Sequence, residues 1–295
     1  MNVSVIIPAH NAADTLAETL ESLRAQTFTD WEAIVVDDGS TDETVAIATS
    51  FARKDSRIRI TSQTKMGVST ARNKGISLAR NEWLLFLDAD DLILPQHLER
   101  MTHALVSDPR LDAVHCAWAR ITQDGTRFKE KYCSESGNLF PFFAHTCVFS
   151  IHACIIRRSI VEHLGGFDTS LITCEGWDLW QRIARTGARF GAINEVLSLY
   201  RMRQASASNN GFRFLTDGLL VIERGHSADP RVPNPLPENA SGMPATQLPG
   251  KKLYFTCWSA GLVFGRGEDA RPLLNVLNGV HDPGLDPDGV ANCIF

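Results

Sequence analysis

The first hundred residues alternate between short apolar runs and segments in which apolar residues return every three or four positions. A short apolar run predicts a strand, and the longer spacing predicts an amphipathic helix. Strands separated by helices of this length indicate right-handed βαβ units. The predicted fold is therefore α/β, with a doubly wound and mostly parallel sheet flanked by helices. We expect its first four strands at residues 3–7, 32–36, 57–61 and 83–87.

Local signals mark where the helices between these strands begin. Thr15 with Glu18, and Ser40 with Glu43, have the spacing of a capping box, in which the two side chains satisfy backbone N–H groups at a helix start. Pro95 suits the first residue of a later helix because that position needs no backbone N–H. Further helices are predicted at residues 68–78, 159–164 and 177–186, and a further strand at 112–118.

The character of the chain changes after residue 210. Six of its 13 prolines lie between residues 227 and 250, which predicts a loop or linker. The apolar stretch 253–264 is compatible with a packed helix or a strand pair. Residues 282–289 are rich in Asp, Pro and Gly, and no closing element follows them. We therefore leave open that the sequence is part of a longer protein.

Composition narrows the function classes. The chain has 44% hydrophobic residues and a formal net charge of −5, from 29 basic and 34 acidic residues. A mild acidic surplus argues against a nucleic-acid-binding protein, which needs an excess of Lys and Arg. Seven scattered cysteines without a Cys-x-x-Cys pair indicate neither a zinc site nor a disulfide framework. With no signal peptide apparent and no apolar run near ~20 residues, we expect a cytoplasmic protein.

Two acidic segments follow predicted strands directly. Asp37-Asp38-Gly39-Ser40 follows the second strand, and Asp88-Ala89-Asp90-Asp91 follows the fourth. Ligands of open parallel sheets bind beyond the carboxyl ends of the strands. Asp37 and Ser40 are equally suited to capping the next helix. Three carboxylates in four residues repel one another unless a cation joins them, and Mg²⁺ or Mn²⁺ typically takes one or two carboxylates plus substrate phosphates.

Four segments of the chain form a recognisable set, in this order: Val3-Ser4-Val5-Ile6-Ile7-Pro8-Ala9-His10-Asn11, Val36-Asp37-Asp38-Gly39-Ser40-Thr41-Asp42, Gly67-Val68-Ser69-Thr70-Ala71-Arg72-Asn73 and Asp88-Ala89-Asp90-Asp91. With these segments the sequence resembles the family 2 glycosyltransferases of GT-A fold, from residue 2 to about residue 208. That resemblance implies inverting transfer of a sugar from a nucleotide-diphospho-sugar, UDP-linked, to an acceptor hydroxyl, with Mn²⁺ or Mg²⁺.

The resemblance also implies a domain organisation. Residues 1–210 would form the GT-A domain, with a nucleotide-sugar-binding half at about 1–110 and an acceptor half at about 111–210. Residues 211–295 would be a Pro/Gly-rich extension. The expected partners are the donor and a saccharide, lipid-linked or peptide acceptor. Association with a membrane surface is left open.

In such enzymes the donor site lies around the first strand end and the two acidic loops. By resemblance, Asp38 would meet a uracil-type base edge, Asp88 would approach the ribose or sugar, and Asp90 would ligate the metal. Asp91 is expected to cap a helix. The donor is assigned to the following residues: Pro8, Ala9, Asn11, Asp38, Gly67, Arg72, Asp88, Ala89 and Arg203.

Two of these residues have an alternative role. Arg72 suits contact with the base or a phosphate, but equally a solvated helix surface. Arg203 ends a Tyr-Arg-Met-Arg segment that resembles the family's Tyr-Arg-x-His motif, so it stands where a histidine is usual. An arginine cannot ligate a metal but can bind phosphate oxygens. The alternative for Arg203 is an exposed arginine on a surface loop.

The general base is expected in the segment Cys174-Glu175-Gly176-Trp177-Asp178, which resembles the family's acidic pair followed by tryptophan. Gly176 stands where the second acid of the pair is usual. Glu175 and Asp178 are three residues apart and could share one helical face, so either is a candidate, with Glu175 favoured. The alternative for Asp178 is an ion pair with Arg182.

Other side chains of this region have a structural interpretation as well as a functional one. His145 and His152 suit the acceptor cleft or the structural core, and the structural role is favoured. Trp177 could present its ring to a sugar, whereas Trp180 is expected in the core.

Two other functions remain in view. Gly176 favours a catalytically impaired domain that binds a sugar nucleotide. A nucleotidyltransferase would carry a Gly-rich, basic loop after the first strand, whereas residues 9–13 contain no glycine and no Lys or Arg.

Overall fold

The computed structural model describes residues 1–203 and 210–275, which belong to two compact units. Residues 140–147 and 170–187 group with the C-terminal helices and not with the sheet. The first unit comprises Met1–Leu139, Val148–Thr169 and Ala188–Arg203, and the second comprises Phe140–Cys147, Ser170–Gly187 and the described part of Gln204–Phe295.

Nine strands of the first unit, counted over the described residues, form one sheet. They are β1 (Val3–Ala9), β2 (Trp31–Asp38), β3 (Ile58–Gln63), β4 (Trp83–Phe86), β5 (Leu92–Ile93), β6 (Ala113–Ile121), β7 (Arg127–Lys131), β8 (Cys154–Arg157) and β9 (Phe190–Arg201).

The helices are divided between the units. α1 to α4 and α6 belong to the first, and the others belong to the second. Their bounds are α1 (Leu16–Arg24), α2 (Thr44–Lys54), α3 (Val68–Leu78), α4 (His97–Ser107), α5 (Phe140–Phe143), α6 (Arg158–His163), α7 (Glu175–Arg185), α8 (Gly211–Gly225), α9 (Leu248–Gly265) and α10 (Arg271–Leu274).

The strand order is β3-β2-β1-β4-β8-β6-β9-β5, with β7 paired to β6. β3, β2, β1 and β4 are parallel, β8 runs antiparallel between β4 and β6, and β6 and β9 are parallel again. The predicted α/β class and mostly parallel sheet are therefore confirmed. The carboxyl ends of β1, β2 and β4 lie side by side at one edge, which is where the acidic loops begin.

Apolar strands between covering helices explain this half of the fold. All residues of β1 and β4 are buried, as expected for parallel strands with helices on both faces. α3 packs closely over β1 because Gly75 has no side chain. A Cβ built at Gly75 would lie 2.3 Å from Cγ2 of Ile6, so a larger residue would push the helix off the strand.

The helix starts differ from the predicted capping boxes. Thr15 does not cap α1 with its side chain; instead its hydroxyl donates to the carbonyl oxygen of Ala89 at 2.9 Å. α2 begins at Thr44, and Asp42 accepts hydrogen bonds from the N–H groups of Thr44 and Ala13 at 3.0 Å each. The capping-box prediction is wrong, because the hydroxyl of Thr15 donates to Ala89 and the hydroxyl of Ser40 accepts from the N–H of Asn11, each in a neighbouring loop. Pro95 likewise precedes α4, which begins two residues later.

In the second unit, the ambiguous stretch 253–264 is part of helix α9. The proline-rich stretch is irregular, with short 3₁₀ turns at Pro237–Asn239 and Ala245–Gln247, which confirms the predicted loop. The predicted turns at 282–289 lie outside the described residues. Over the part of the chain that the structure describes, no helix is both long and apolar enough to cross a membrane.

A buried arginine attaches this irregular stretch to α7. Arg185 is 1% exposed, and its guanidinium donates to the carbonyl oxygens of Ser227, Asn239 and Arg224 at 2.9, 3.1 and 2.6 Å. These bonds satisfy a buried cation and fix a segment that cannot bond to itself as helix or sheet.

Candidate active site

The candidate site begins where β1 and β2 end. Pro8 and Ala9 are buried at the end of β1. Asn11 has a positive φ of 47°, and its side-chain oxygen accepts a hydrogen bond from the N–H of Thr41 at 2.9 Å. Its own N–H donates to Oγ of Ser40 at 3.0 Å. Asn11 thus joins the loops that follow the two strands.

Asp38 fixes the loop that leads into α3. Its carboxylate is 4% exposed and accepts hydrogen bonds from the N–H groups of Met66 and Gly67 and from the amide of Gln63, all at 2.8 Å. Gly67 has a φ of 94°, a conformation that favours glycine, while a Cβ there would meet no atom within 4 Å. The need for glycine is therefore conformational.

Asp37 and Ser40 take the local role that the sequence left open. Oδ1 of Asp37 accepts a hydrogen bond from the N–H of Ser40 at 3.0 Å, which closes the turn after β2. Asp37 is 3% exposed, so its carboxylate contributes to the turn and not to the open edge.

Asp88 opens the second acidic loop and is positioned by a buried arginine. Its Oδ1 lies 2.6 Å from Nη2 of Arg72. Arg72 is only 2% exposed, and its guanidinium carbon lies 5.1 Å from the ring centroid of Phe167. The solvated-surface reading of Arg72 is therefore wrong.

Asp90 is the carboxylate of this loop that is least balanced by positive charge. Burial, and then the negative charges of Asp91 and Asp88, raise the pKa of Asp90 to about 7. Its Oδ2 lies 3.3 Å from Nη1 of Arg203, and both side chains are about one quarter exposed. Arg203 is thus held beside the acidic loop, which does not fit the plain surface reading.

Asp91 belongs to a buried network that the sequence did not predict. Its Oδ1 accepts a hydrogen bond from the N–H of Arg201 at 2.8 Å, and its Oδ2 lies 2.9 Å from Nδ1 of His152. The guanidinium of Arg201 donates to the carbonyl oxygen of Asp90 at 2.9 Å. The expectation that Asp91 caps a helix is wrong, since its carboxylate ties the acidic loop to β9 and to His152.

His152 is fully buried, as its structural reading requires. Burial opposes a charge on its ring, but the adjacent Asp91 carboxylate outweighs burial and raises the pKa of His152. His152 therefore holds the acidic loop through its contact with Asp91 and does not line an open cleft. His152 and Asp91 are 61 residues apart in the sequence, so no local sequence pattern predicts their contact.

Asp178, in the second unit, is wholly buried among arginines. Its carboxylate oxygens lie 2.8 Å from Arg182, 2.8 Å from Arg224 and 2.9 Å from Arg231. With no exposed surface and both oxygens paired to guanidinium groups, Asp178 cannot take a proton from an acceptor. Its prediction as a candidate base is corrected to a structural role.

Glu175 is the first residue of α7 and is half-buried. The chain before it turns sharply at Cys174, whose φ is 59°. Asp217 holds that turn, because its Oδ2 accepts hydrogen bonds from the N–H groups of Ile172 and Thr173 at 3.2 and 2.9 Å. Glu175 lies in the first turn of α7, where the helix N-terminus favours an anionic side chain.

The aromatic candidates of this region lie in the core. Trp180 has no exposed surface, and Trp177 is 3% exposed, with its indole N–H donating to the carbonyl oxygen of Phe143 at 2.7 Å. The sugar-stacking interpretation of Trp177 is wrong.

His145 lies just after α5, and burial, then the charges of Lys251 and His226, lower its pKa to about 4.

The residues at the sheet edge suit a divalent cation that takes most of its ligands from a substrate. Within residues 1–203 and 210–275, no group of three His, Cys, Asp or Glu side chains forms a cage for a metal. Asp88 and Asp90 nevertheless offer partly exposed carboxylate oxygens, which is the ligand type of Mg²⁺ and Mn²⁺. One or two carboxylates suffice when phosphates complete the shell.

Comparisons with known proteins agree with this geometry. The profile described as "Glycosyl transferase family 2" matches residues 4–165. A Rickettsia felis protein described as an uncharacterized glycosyltransferase is 30% identical over 201 residues, which make up 68% of this chain and 33% of that protein. The chain thus spans about a third of this relative's length.

Two solved structures share the fold. Staphylococcus aureus TarS 1–349 in complex with UDP-GlcNAc has a TM-score of 0.61 and 19% identity, covering 94% of this chain and 91% of that one. The mannosyltransferase PcManGT from Pyrobaculum calidifontis, in complex with GDP-Man and Mn²⁺, has a TM-score of 0.62 and 19% identity, covering 99% and 78%. The fold is GT-A, and the chain belongs to glycosyl transferase family 2.

Proposed function

We propose that this glycosyltransferase moves a sugar, with inversion, from a UDP-linked nucleotide-diphospho-sugar to an acceptor hydroxyl, and that it depends on Mn²⁺ or Mg²⁺. One observation carries the proposal. The partly exposed carboxylates of Asp88 and Asp90 lie beside Arg72 and Arg203 at the sheet edge where β1 and β4 are neighbours. This edge is the ligand crevice of an open α/β sheet.

The nucleoside would bind between the loops after β1 and β2. Pro8 and Ala9 would line its near side. Asp38 already accepts three hydrogen bonds from the chain, so a base edge would use its remaining acceptor position. TarS in complex with UDP-GlcNAc supports a uridine nucleotide, and PcManGT in complex with GDP-Man supports the wider class of donor.

The diphosphate would lie against Asp88, Asp90 and Arg203. Asp90, with Asp88, would hold the divalent metal, which when bound would supply positive charge against the leaving nucleoside diphosphate. Arg203 brings a planar guanidinium that binds two phosphate oxygens at once. Arg201 holds the backbone of Asp90 in place, so that the loop keeps its shape when the donor binds.

Glu175 would take the proton of the acceptor hydroxyl. Inverting displacement needs a base within hydrogen-bond reach of that hydroxyl. Asp178 is excluded by its three arginines, which leaves Glu175 as the carboxylate of this motif. Glu175 lies at a helix N-terminus, which favours an anionic side chain, and Asp217 fixes the preceding turn.

One observation keeps a second function open. Gly176 leaves the usual second acid of the motif without a side chain, which favours a domain that binds the donor but does not transfer the sugar. Hydrolysis of the donor separates the two functions, because water can replace an unknown acceptor.

The test is release of UDP from a panel of UDP-sugars with Mn²⁺, compared with release of pyrophosphate from UTP and a sugar phosphate. The proposal expects UDP release that falls in Glu175→Gln. Donor binding without hydrolysis would establish the impaired domain, and pyrophosphate release would establish a nucleotidyltransferase.

A further inference from the structure

Three basic side chains share one face of the hairpin formed by β6 and β7. Side chains alternate between the faces of a strand, so Lys129 and Lys131 share a face and Glu130 lies on the other. Lys131 pairs with Trp118 of β6, and Lys129 pairs with Arg120. Arg120, Lys129 and Lys131 are called the basic strip below.

The basic strip lacks counter-charges. Like charges directly opposite one another on an antiparallel pair destabilise a sheet, and Arg120 lies directly opposite Lys129. Neither these two side chains nor Lys131 comes within 4.0 Å of a carboxylate among the described residues. An arrangement that costs stability in the free chain is expected where an anion binds.

Arg120 gives a second and independent indication. Its side chain is half-buried, and its Nε is shielded from solvent without a hydrogen-bond partner in the described part of the chain. Its guanidinium carbon lies 6.0 Å from the ring centroid of Trp118. Removing part of a cation from water is unfavourable unless an anion compensates it, so Arg120 is prepared for a ligand that the chain does not supply.

The strip is continuous with the candidate donor site. The ring of Trp118 lies edge-on to Tyr200, with centroids 6.0 Å apart, and Tyr200 stacks on His152 at 6.2 Å. His152 contacts Asp91, the neighbour of Asp90. The opposite face of these strands is the hydrophobic cluster around Ala119. The basic strip therefore lies on the face opposite that cluster, and these ring contacts link it to the acidic loop.

We propose that the basic strip binds a phosphate group of the acceptor, so that the substrate of this site is a phosphate-bearing saccharide. The assignment rests on the proposed function and names its acceptor class. Arginine binds a phosphate through two parallel hydrogen bonds, and lysines add point charges. The positive charge is local, because the chain as a whole carries −5. Trp118 lies directly opposite Lys131 and offers an aromatic surface beside the phosphate.

An anionic membrane is the less favoured occupant. A bilayer surface meets side chains that project outward, whereas Arg120 is half-buried and its Nε is out of solvent. A small phosphate group can enter such a place. The membrane is therefore treated as an outcome of the test.

The test measures binding of α-D-glucose 1-phosphate and of glucose to the full chain by calorimetry, in EDTA so that no metal bridges the probe to the acidic loop. The variants are Arg120→Gln and the pair Lys129→Gln with Lys131→Gln. Arg127→Gln is the matched control, because Arg127 lies on the same strand beyond a register shift and is paired with Ile121, outside the basic strip. Donor hydrolysis is measured for each variant.

We expect the phosphorylated sugar to bind at least about tenfold more tightly than glucose, and each strip variant to lose about that factor, the size of a charge-assisted hydrogen bond. Arg127→Gln should stay within about twofold, as expected for an exposed charge. Donor hydrolysis and its KM should not change in the strip variants, which a general disruption of the fold would not allow.

Equal binding of the two sugars, or an equal loss in Arg127→Gln, would overturn the proposal. Strip-dependent binding to phosphatidylcholine vesicles only when they contain phosphatidylglycerol, without binding of the sugar phosphate, would replace it with a membrane contact. If the wild-type chain binds the sugar phosphate through the strip but hydrolyses no UDP-sugar, the failure belongs to the proposed function and not to the strip.

Discussion

Asp178 in the second unit and Asp90 in the first both lie beside arginine, but positive charge dominates around Asp178 and negative charge dominates around Asp90. Asp178 has no exposed surface, and three guanidinium groups contact its two oxygens. A buried carboxylate of this kind holds α7 to α8 and to the irregular segment after it. The negative charge of Asp178 is compensated by these three arginines, so none of it is available to a ligand.

Asp90 has the reverse setting. Two further carboxylates stand within two positions of it, and Arg203 is 3.3 Å away and partly exposed. Burial, and then the negative charges of Asp91 and Asp88, raise the pKa of Asp90 to about 7. An aspartate whose charge is compensated by several arginines has a structural role, as Asp178 does. An aspartate whose charge the fold leaves uncompensated, such as Asp90, is a candidate ligand for a cation.

The largest expected effect tests the structural side of the comparison. Asp178→Ala leaves Arg182, Arg224 and Arg231 without their shared anion, so we expect the free energy of unfolding to fall by about 3–5 kcal/mol. Urea unfolding measures it. Asp108→Ala, which removes a partly exposed carboxylate paired with Arg110, is the control and should lower the midpoint far less. Equal losses in the two variants would contradict the structural role of Asp178.

The next prediction concerns the carboxylate that remains in this motif. Glu175→Gln should lower turnover by about 10²-fold or more, because it removes the proposed general base. Donor affinity should stay nearly unchanged. The measurements are the rate of UDP release and calorimetric titration with UDP.

Two companion variants sharpen this test. Glu223→Gln changes a glutamate that pairs with Lys252 on the same unit and should leave turnover unchanged. Gly176→Asp should raise turnover if the missing second acid limits this chain. Full activity of Glu175→Gln would place the base elsewhere.

The smallest predicted effect concerns a buried group that has no counter-charge. Burial lowers the pKa of His97 from 6.5 to about 3, so the folded state favours its neutral ring. This contribution to stability is complete above pH 6.5 and is lost as the pH falls towards 3. One such group changes the free energy of unfolding by at most about 1.4 kcal/mol per pH unit.

Urea unfolding at pH 7, 6 and 5 checks this prediction. His97→Leu should flatten the decline of stability between pH 6.5 and 5 relative to the wild type. His163→Leu, which alters an exposed histidine at the end of α6, is the control and should keep the wild-type slope. An unchanged slope in His97→Leu would show that His97 does not cause the acid sensitivity.

The sequence predicts the parts of this molecule that depend on neighbours in the chain. Periodicity places the first four strands and α3, and the position of Asp88 to Asp91 after a buried strand indicates a cation site. Arg182 is visible as a partner of Asp178 because it lies four residues away on the same helix.

Contacts between distant residues are not visible in the same way. Asp91 bonds to Arg201, 110 positions away, and Asp178 bonds to Arg231, 53 positions away. A local pattern offers helix capping for Asp91 because capping needs only nearby residues. The pairing that the structure adopts satisfies a buried carboxylate with partners that only the folded sheet brings close.

The central claim is that Asp90 is the unbalanced carboxylate that binds a metal with the donor diphosphate. Calorimetric titration with UDP, with and without Mn²⁺, tests it on the wild type, on Asp90→Asn and on the control Asp108→Asn. We predict that Mn²⁺ strengthens UDP binding by about 100-fold in the wild type and the control, and that Asp90→Asn loses this gain while retaining its metal-free binding and its stability. Undiminished Mn²⁺-dependent binding of UDP by Asp90→Asn would contradict the account.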